Sequence, residues 1–163
     1  MKTVLIVYHS MTGGTLQMAQ AAAAGVAEED GVRVSLLHAS EARAEDVLAG
    51  DGYIFATPEN LAGMSGMMKD FFDRTYYGAF ERIGGRPFVM LVCAGSDGEN
   101  AARQIERIAS GWRLKAIADA YIVCTRAQSP EEILLPKRIE APHLRRCREL
   151  GKTLAAGIAL GIF

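Results

Sequence analysis

A short stretch near the amino terminus combines glycines with hydroxyl side chains in a pattern suited to anion binding. It reads His9-Ser10-Met11-Thr12-Gly13-Gly14-Thr15 and lies between an apolar strand pattern and a helix pattern. Glycines allow a close backbone approach, hydroxyls donate to phosphate oxygens, and the helix N-terminus supplies free N–H groups. No Lys or Arg lies in the stretch, so we expect a phosphate to be held by neutral donors alone. The alternative is an ordinary turn with Ser10 or Thr15 as the N-cap.

Other phosphate-binding motifs do not fit this chain. A P-loop requires GxxxxGK[ST], but Arg146 stands where Gly151-Lys152-Thr153 would need its first glycine. The dinucleotide fingerprint GxGxxG is absent from the stretch. A cysteine phosphatase loop at Cys93 would need an Arg six residues later, where Glu99 stands.

Alternating apolar and amphipathic segments predict the elements that position this stretch. The β-branched run 3–8 is typical of a strand buried on both faces. Five strands alternating with five helices predict one domain, 1–163, with a parallel sheet and helices on both faces. The predicted strands are 3–8, 32–37, 53–56, 88–93 and 120–124. The predicted helices are 15–30, ended by Gly31, then 42–49, 64–76, 100–115 and 143–162, with 129–142 irregular.

Such sheets bind ligands at the carboxyl ends of the strands, so the segments after the first, third and fourth strands are of interest. Ser10-x-Thr12-Gly13-x-Thr15 resembles the FMN-phosphate loop of the flavodoxin-like superfamily. The segment from Thr57 to Arg74 is similar to the NAD(P)H-dependent FMN and quinone reductases of that superfamily. In those proteins Pro opens the loop and Met-Ser-Gly-x-Met-Lys starts the helix, as Pro58 and Met64-Ser65-Gly66-Met67-Met68-Lys69 do here.

Together with the strand pattern, the resemblance covers the whole chain. It implies an α/β, flavodoxin-like three-layer sandwich with a five-stranded parallel sheet of order 2-1-3-4-5 and helices on both faces. It also implies that three loops hold FMN. The first loop would bind the phosphate, the second would run along the isoalloxazine edge, and the third would contact the pyrimidine end. The first loop is Ser10, Met11, Thr12, Gly13, Gly14 and Thr15; the second is Thr57, Pro58, Glu59, Asn60, Leu61, Ala62 and Gly63; the third is Cys93, Ala94, Gly95, Ser96, Asp97 and Gly98.

The resemblance implies an oxidoreductase that passes reducing equivalents from NAD(P)H to a quinone, a flavin or another small acceptor. No catalytic side chain and no metal ligand is expected, because the chemistry would belong to the flavin. The alternative is a flavodoxin-type electron-transfer protein without direct NAD(P)H oxidation. Electron-carrying flavodoxins are typically acidic and shield the flavin with aromatic residues. Here the net charge is −1, and neither the second nor the third loop contains Trp, Tyr or Phe, which favours the reductase.

Several loop residues have both a functional and a structural interpretation. Glu59 and Asn60 could bond ring or substrate atoms, or be polar because they are exposed. Asp97 could accept from the pyrimidine N–H or act as an N-cap, with Ser96 as the rival cap. Cys93 is expected to be a small apolar filler at a strand end.

Residues outside the three loops also remain open. His9 could approach the flavin or be an ordinary strand-end histidine. The aromatic residues Tyr76, Tyr77 and Phe80 could cover the flavin, form a dimer surface or pack in the core. Lys137 and Arg138, with the arginines of 145–148, could meet NADPH phosphates or form a solvated face.

Composition limits the partners. The three cysteines are far apart and no CxxC occurs, which indicates a reducing compartment and predicts a cytoplasmic location. The near-zero charge and the lack of interleaved aromatic residues speak against nucleic acid. The apolar segment 154–163 is about half of what a membrane span needs, so we expect a packed helix. A small-molecule acceptor is the expected partner, and a homo-oligomer is left open.

Overall fold

The computed structural model describes residues 1–163. The strands are β1 (Lys2–Tyr8), β2 (Val32–His38), β3 (Gly52–Asn60), β4 (Gly63–Met64), β5 (Pro87–Ala94), β6 (Lys115–Ala116) and β7 (Tyr121–Cys124). The helices are α1 (Gly14–Val26), α2 (Ala44–Ala49), α3 (Gly66–Ala79), α4 (Glu99–Gly111), α5 (Pro130–Leu134) and α6 (Ala141–Ala159).

The sheet has the order β2-β1-β3-β5, and β5 pairs with both β6 and β7 along its other edge. All of these pairs are parallel, which confirms the flavodoxin-like order 2-1-3-4-5 with its fifth position divided in two. Six positions separate Lys115 from Tyr121, whereas four separate their partners Pro87 and Leu91. The edge strand therefore bulges between its two pieces.

The core lies on both faces of the sheet because successive strand side chains point to opposite sides. In β1, Val4 and Ile6 belong to the cluster that includes residues of α1 and α6. Leu5 and Val7 belong to the opposite cluster, which includes Trp112 and residues of α3 and α4. The two-sided burial explains why the strands read as continuous apolar runs.

Several predicted boundaries are wrong, each for a local reason. α1 ends at Val26 rather than residue 30, and Gly31 does not cap it; the acidic segment 28–30 would be unfavourable at the negative end of the helix dipole. β3 runs on to Asn60 because β4 pairs with its end. The region predicted to be irregular contains α5, which has a capping box between Ser129 and Glu132.

The apolar carboxyl-terminal segment packs against the sheet, with Leu154, Ala155 and Ile158 buried on α6. No helix is both long enough and apolar enough to cross a membrane. No group of three or more His, Cys, Asp or Glu side chains is arranged to share a metal ion.

Candidate functional site

The three loops meet at the carboxyl edge of the sheet. Strand pairing sets Tyr8 of β1 beside Ala56 of β3, and Pro58 of β3 beside Cys93 of β5. The segments that follow these strands therefore begin side by side. The structure brings all three predicted loops together at one edge.

The first loop is built around Gly13. Its φ of 94° lies in the left-handed region that favours glycine, and it is the N-cap of α1. Ser10 Oγ accepts a hydrogen bond from Gly13 N at 3.1 Å. The interpretation of Ser10 or Thr15 as the N-cap is therefore wrong, since α1 has no side-chain cap. Thr15 Oγ1 is buried and has no hydrogen-bond partner.

A segment distant in sequence lies against the first loop. We call residues 125–140, between β7 and α6, the strap. Lys137 N donates to Thr12 O at 2.8 Å. Gln17 on α1 donates from Nε2 to Gly13 O at 2.9 Å and to Lys137 O at 2.7 Å, and it accepts from Ile139 N at 3.0 Å. The strap is thus hydrogen-bonded to the first loop through Lys137 N and to α1 through Lys137 O and Ile139 N.

The Lys137 ammonium also approaches the first loop. Nζ lies 3.4 Å from Thr12 Oγ1, and it donates to three carbonyls at the end of α5, those of Glu132, Ile133 and Leu135, at 2.9, 2.9 and 2.6 Å. None of the six ion pairs in the structure involves Lys137. A cation from the strap therefore stands beside the first loop, which itself contains no Lys or Arg. That neutral donors alone would hold a phosphate here stays a prediction.

The second loop is a tight hairpin formed by the end of β3 and β4. Its two central residues, Leu61 and Ala62, have φ values of 48° and 64°. Two left-handed residues make a type I′ turn, which normally contains Asn and Gly, so Leu-Ala stores strain here. Leu61 is fully exposed. An anchor on α4 holds the hairpin, because Gln104 Oε1 accepts from Met64 N at 2.8 Å.

Glu59 links the second loop to the third. Its carboxylate accepts from Gly98 N at 2.9 Å and from Ala101 N at 3.3 Å. Gly98 is the N-cap of α4 and has a φ of 90°, so Glu59 satisfies two free N–H groups of that helix from outside it. Glu59 thus has a structural role in this structure, and the ring or substrate contact considered for it stays a prediction. Asp97 Oδ1 accepts from Glu99 N at 3.3 Å but is not the N-cap.

The third loop is hydrogen-bonded to the strap. Arg126 N donates to Gly95 O at 2.7 Å, and Thr125 N donates to Ala94 O at 2.8 Å. A Cβ on Gly95 would lie 2.7 Å from Ala127 O. Only glycine therefore fits between this part of the third loop and the strap.

Cys93 behaves as the apolar filler that was expected. It is buried at the end of β5, and burial raises the pKa of its thiol to about 11. A Cβ on Gly14 would lie 2.7 Å from Cys93 Sγ. The thiol therefore packs under the start of α1 and stays protonated at neutral pH.

The first and second loops are also in direct contact. Asn60 Nδ2 donates to Met11 Sδ at 3.0 Å. With the bonds of Glu59 and the packing of Cys93 on Gly14, each loop is joined to the other two. The site is therefore built as one unit, with Met11 and Leu61 exposed at its rim.

The His9 side chain packs against the end of β2. Its ring meets that of His38, at the end of β2, edge to face with centroids 5.5 Å apart. Its Nδ1 is buried without a hydrogen-bond partner. Burial, followed by the neighbouring His38, lowers the pKa of His9.

The aromatic residues after the second loop do not cover the site. Tyr76 stacks on Trp112 with centroids 5.5 Å apart and packs on Phe80. These residues lie near the carboxyl end of α3, about 16 Å along the helix from its N-cap Ser65. The lid interpretation is wrong for this chain, because α3 carries them away from the loops. Tyr77 is exposed, and a dimer surface there stays a prediction.

Gln17 and the strap were not predicted to belong to the site. Lys137 and Thr12 are 125 positions apart, and no local pattern reports such a contact. One signal was present, because Ser129-x-x-Glu132 is a readable capping box that marks the start of α5. The side chains of the other basic residues of 138–148 form no hydrogen bond or ion pair with the three loops; Arg148, for example, pairs with Glu28.

The residues at this edge fit FMN. A phosphate needs donors and positive potential, and the first loop offers the unpartnered Thr15 hydroxyl, the N-terminus of α1 and the nearby Lys137 ammonium. A planar ring needs accessible backbone groups, and the exposed hairpin of the second loop and Gly95 of the third loop offer these. Together these groups make the first loop, with the strap beside it, the candidate anion site at this edge.

Comparison with known proteins identifies relatives of the chain. Residues 39–128, which include the second and third loops, match the family described as NADPH-dependent FMN reductase. A protein named Flavodoxin from Aquifex aeolicus is 38% identical over 94 residues, 58% of this chain and 49% of that protein. An NAD(P)H dehydrogenase (quinone) from Acidithiobacillus ferrooxidans is 34% identical over 95 residues, 46% of this chain and 48% of that protein. The chain spans about half the length of the curated relatives it matches.

Solved structures agree on the fold. A flavodoxin from the domain Archaea superposes with a TM-score of 0.79 at 17% identity, covering 96% of this chain and 99% of that one. A flavodoxin, WrbA-like protein from Agrobacterium tumefaciens superposes with a TM-score of 0.75 at 19% identity, covering 98% and 99%. At these identities the likeness shows the fold alone, and that fold is flavodoxin-like.

Proposed function

The chain belongs to the NADPH-dependent FMN reductase family of flavin-dependent oxidoreductases, and from this premise we propose that it passes reducing equivalents from NADH or NADPH to a quinone, a flavin or another small acceptor. FMN is the cofactor of this family. When bound, it supplies two-electron redox chemistry that no side chain of the chain provides. The protein's task is to bind and orient the flavin and to leave room for its reaction partners.

We assign the phosphate to the first loop, the isoalloxazine edge to the second and the pyrimidine end to the third. The contacts that support this assignment are the free hydroxyl of Thr15 at the start of α1 and the bonds from Glu59 to Gly98 and Ala101. Those bonds hold the second and third loops at a constant separation. A fixed separation favours binding of a rigid planar ring, because little ordering is needed when the ring binds.

The observation that carries the proposal is the lack of aromatic cover. Neither the second nor the third loop contains Trp, Tyr or Phe, and the aromatic group around Tyr76 lies at the other end of α3. A nicotinamide must approach within about 3–3.5 Å of its reaction partner for direct transfer. An uncovered ring leaves space for that approach.

A flavodoxin-type electron carrier is the second candidate, favoured by the name of the Aquifex aeolicus relative. It would bind FMN through the same loops but exchange electrons only with a docked protein. Whichever of the two functions the protein has, we propose that it is cytoplasmic. Its three free cysteines support this location.

Steady-state assays of the FMN-loaded protein test the reductase proposal. NADH and NADPH oxidation are measured with a soluble quinone as acceptor, and then with free FMN as acceptor. A matched variant, Leu61→Trp, adds an aromatic ring at the exposed tip of the second loop, and Leu160→Trp adds one at the exposed end of α6 as the control. We expect turnover by the wild type and by Leu160→Trp, and slower turnover by Leu61→Trp with FMN still bound. Equal rates for all three would contradict the idea that an open face controls access.

A further inference from the structure

The charge of Lys137 has no counter-ion in the structure. An ammonium has three N–H donors, and the three carbonyls at the end of α5 use them all at 2.6–2.9 Å. Carbonyl dipoles stabilise a cation but do not neutralise it. Glu140, three positions away, forms no ion pair with Lys137, and the Glu132 carboxylate accepts instead from Gln128 N and Ser129 N. A positive charge is therefore held in place without a carboxylate partner.

The position of that charge is determined by the first loop. Lys137 N donates to Thr12 O at 2.8 Å, and Gln17 binds Lys137 O on the other side. Nζ is 3.4 Å from Thr12 Oγ1. With the lysine on one side of this hydroxyl, the hydroxyl proton is free to point towards an anion in the loop. The backbone anchors keep the ammonium close even though lysine side chains are flexible.

We propose that Lys137 supplies the positive charge that the first loop lacks, and that it makes the site selective for a phosphorylated flavin over the unphosphorylated ring. The inference deepens the proposed function, on which it rests, by adding a residue outside the three loops to the phosphate subsite. The alternative role is purely structural, with Lys137 capping the carboxyl end of α5. A cap would affect every ligand equally, whereas a phosphate partner affects only the phosphorylated one.

The neighbouring residue provides a matched control. Arg138 carries the same charge on the same strap, is exposed and makes no side-chain hydrogen bond or ion pair. Lys137→Met keeps the length and apolar stem of the side chain and removes the ammonium. Arg138→Met removes one charge of the same sign without touching the loop. Lys137→Arg keeps the charge.

Flavin fluorescence titrations with FMN and with riboflavin measure the proposed effect. We expect Lys137→Met to weaken FMN binding about tenfold or more, as for the loss of one positive charge near the phosphate, and riboflavin binding less than about twofold. Arg138→Met should change neither by more than about twofold, and Lys137→Arg should retain the preference for FMN. Added KCl should weaken FMN binding in the wild type more steeply than in Lys137→Met, because screening acts on charge.

Different outcomes would overturn the role of Lys137 and the proposed function. Equal losses of FMN and riboflavin affinity in Lys137→Met, or no loss at all, would overturn the role of Lys137 while leaving FMN binding intact. An equal effect of Arg138→Met would overturn it as well, since any strap charge would then suffice. If the wild type bound neither flavin, the proposed function itself would fail. If Lys137→Met did not fold, the Lys137→Arg titration and the wild-type salt dependence would decide.

Discussion

Glu59→Gln is expected to destabilise the protein and loosen the flavin site together. The carboxylate accepts from Gly98 N at 2.9 Å and from Ala101 N at 3.3 Å at the start of α4. Charge-assisted bonds of this kind contribute roughly 1.5–3 kcal/mol, and a negative charge near a helix N-terminus adds about 0.3–1 kcal/mol. Glutamine keeps one neutral acceptor, and Glu59 is half-buried. We therefore expect the free energy of unfolding to fall by about 1.5–2 kcal/mol.

Urea denaturation of the flavin-free protein measures that change. Glu99→Gln is the matched control, because Glu99 lies in the first turn of the same helix but is exposed and makes no side-chain bond. Its substitution should cost no more than about 0.5 kcal/mol. Since Glu59 joins the two loops assigned to the ring, Glu59→Gln should weaken FMN and riboflavin to the same extent. The reasoning is refuted if the two variants are equally stable, or if only FMN affinity falls.

Three further results are expected. The double substitution Leu61→Asn and Ala62→Gly in the strained turn should raise the free energy of unfolding by about 1 kcal/mol, because both residues have left-handed backbone conformations. Thermal melts measure this change, and a lower melting temperature for the variant would show that the turn is unstrained. Cys124 alone should react rapidly with a thiol reagent in the folded protein, because the other two thiols are buried with raised pKa values; fast reaction of a second thiol would contradict the burial. His9→Gln should flatten the fall in stability below the ordinary histidine pKa of 6.5, because burial and His38 lower the pKa of His9. Neutral His9 therefore contributes stability above pH 6.5, and this contribution is lost as the pH falls through the lowered pKa of His9 in the folded protein. Parallel profiles of stability against pH for the wild type and the variant would exclude this role of His9.

Much of the fold was accessible from the sequence because each strand is buried on both faces and reads as a continuous apolar run. The run from Thr3 to Tyr8 and the glycines after it define the first strand and loop without any tertiary information. Helix ends were less accessible. α1 stops at Val26 although alanine-rich sequence favours helix, because acidic residues follow it and Glu28 pairs with α6 instead.

The contacts that assemble the site were not accessible, because they join residues far apart in the chain. Glu59 looked like a free polar group of an exposed loop, yet its partners lie 39 and 42 positions away. Lys137 looked like part of a solvated basic run, and only the tertiary structure brings it to Thr12. Local patterns report which backbone can turn or approach a ligand. They do not indicate which distant side chain will form hydrogen bonds with the backbone of a loop.

The rate of flavin bleaching by NADH and by NADPH, measured without oxygen in a stopped-flow instrument, shows directly whether a nicotinamide reduces the bound flavin. It isolates the first half of the proposed reaction and needs no knowledge of the acceptor. We expect the visible absorbance of the bound FMN to disappear faster than that of free FMN with at least one nicotinamide. Bound FMN that neither nicotinamide bleaches faster than free FMN would contradict the reductase and leave the electron carrier.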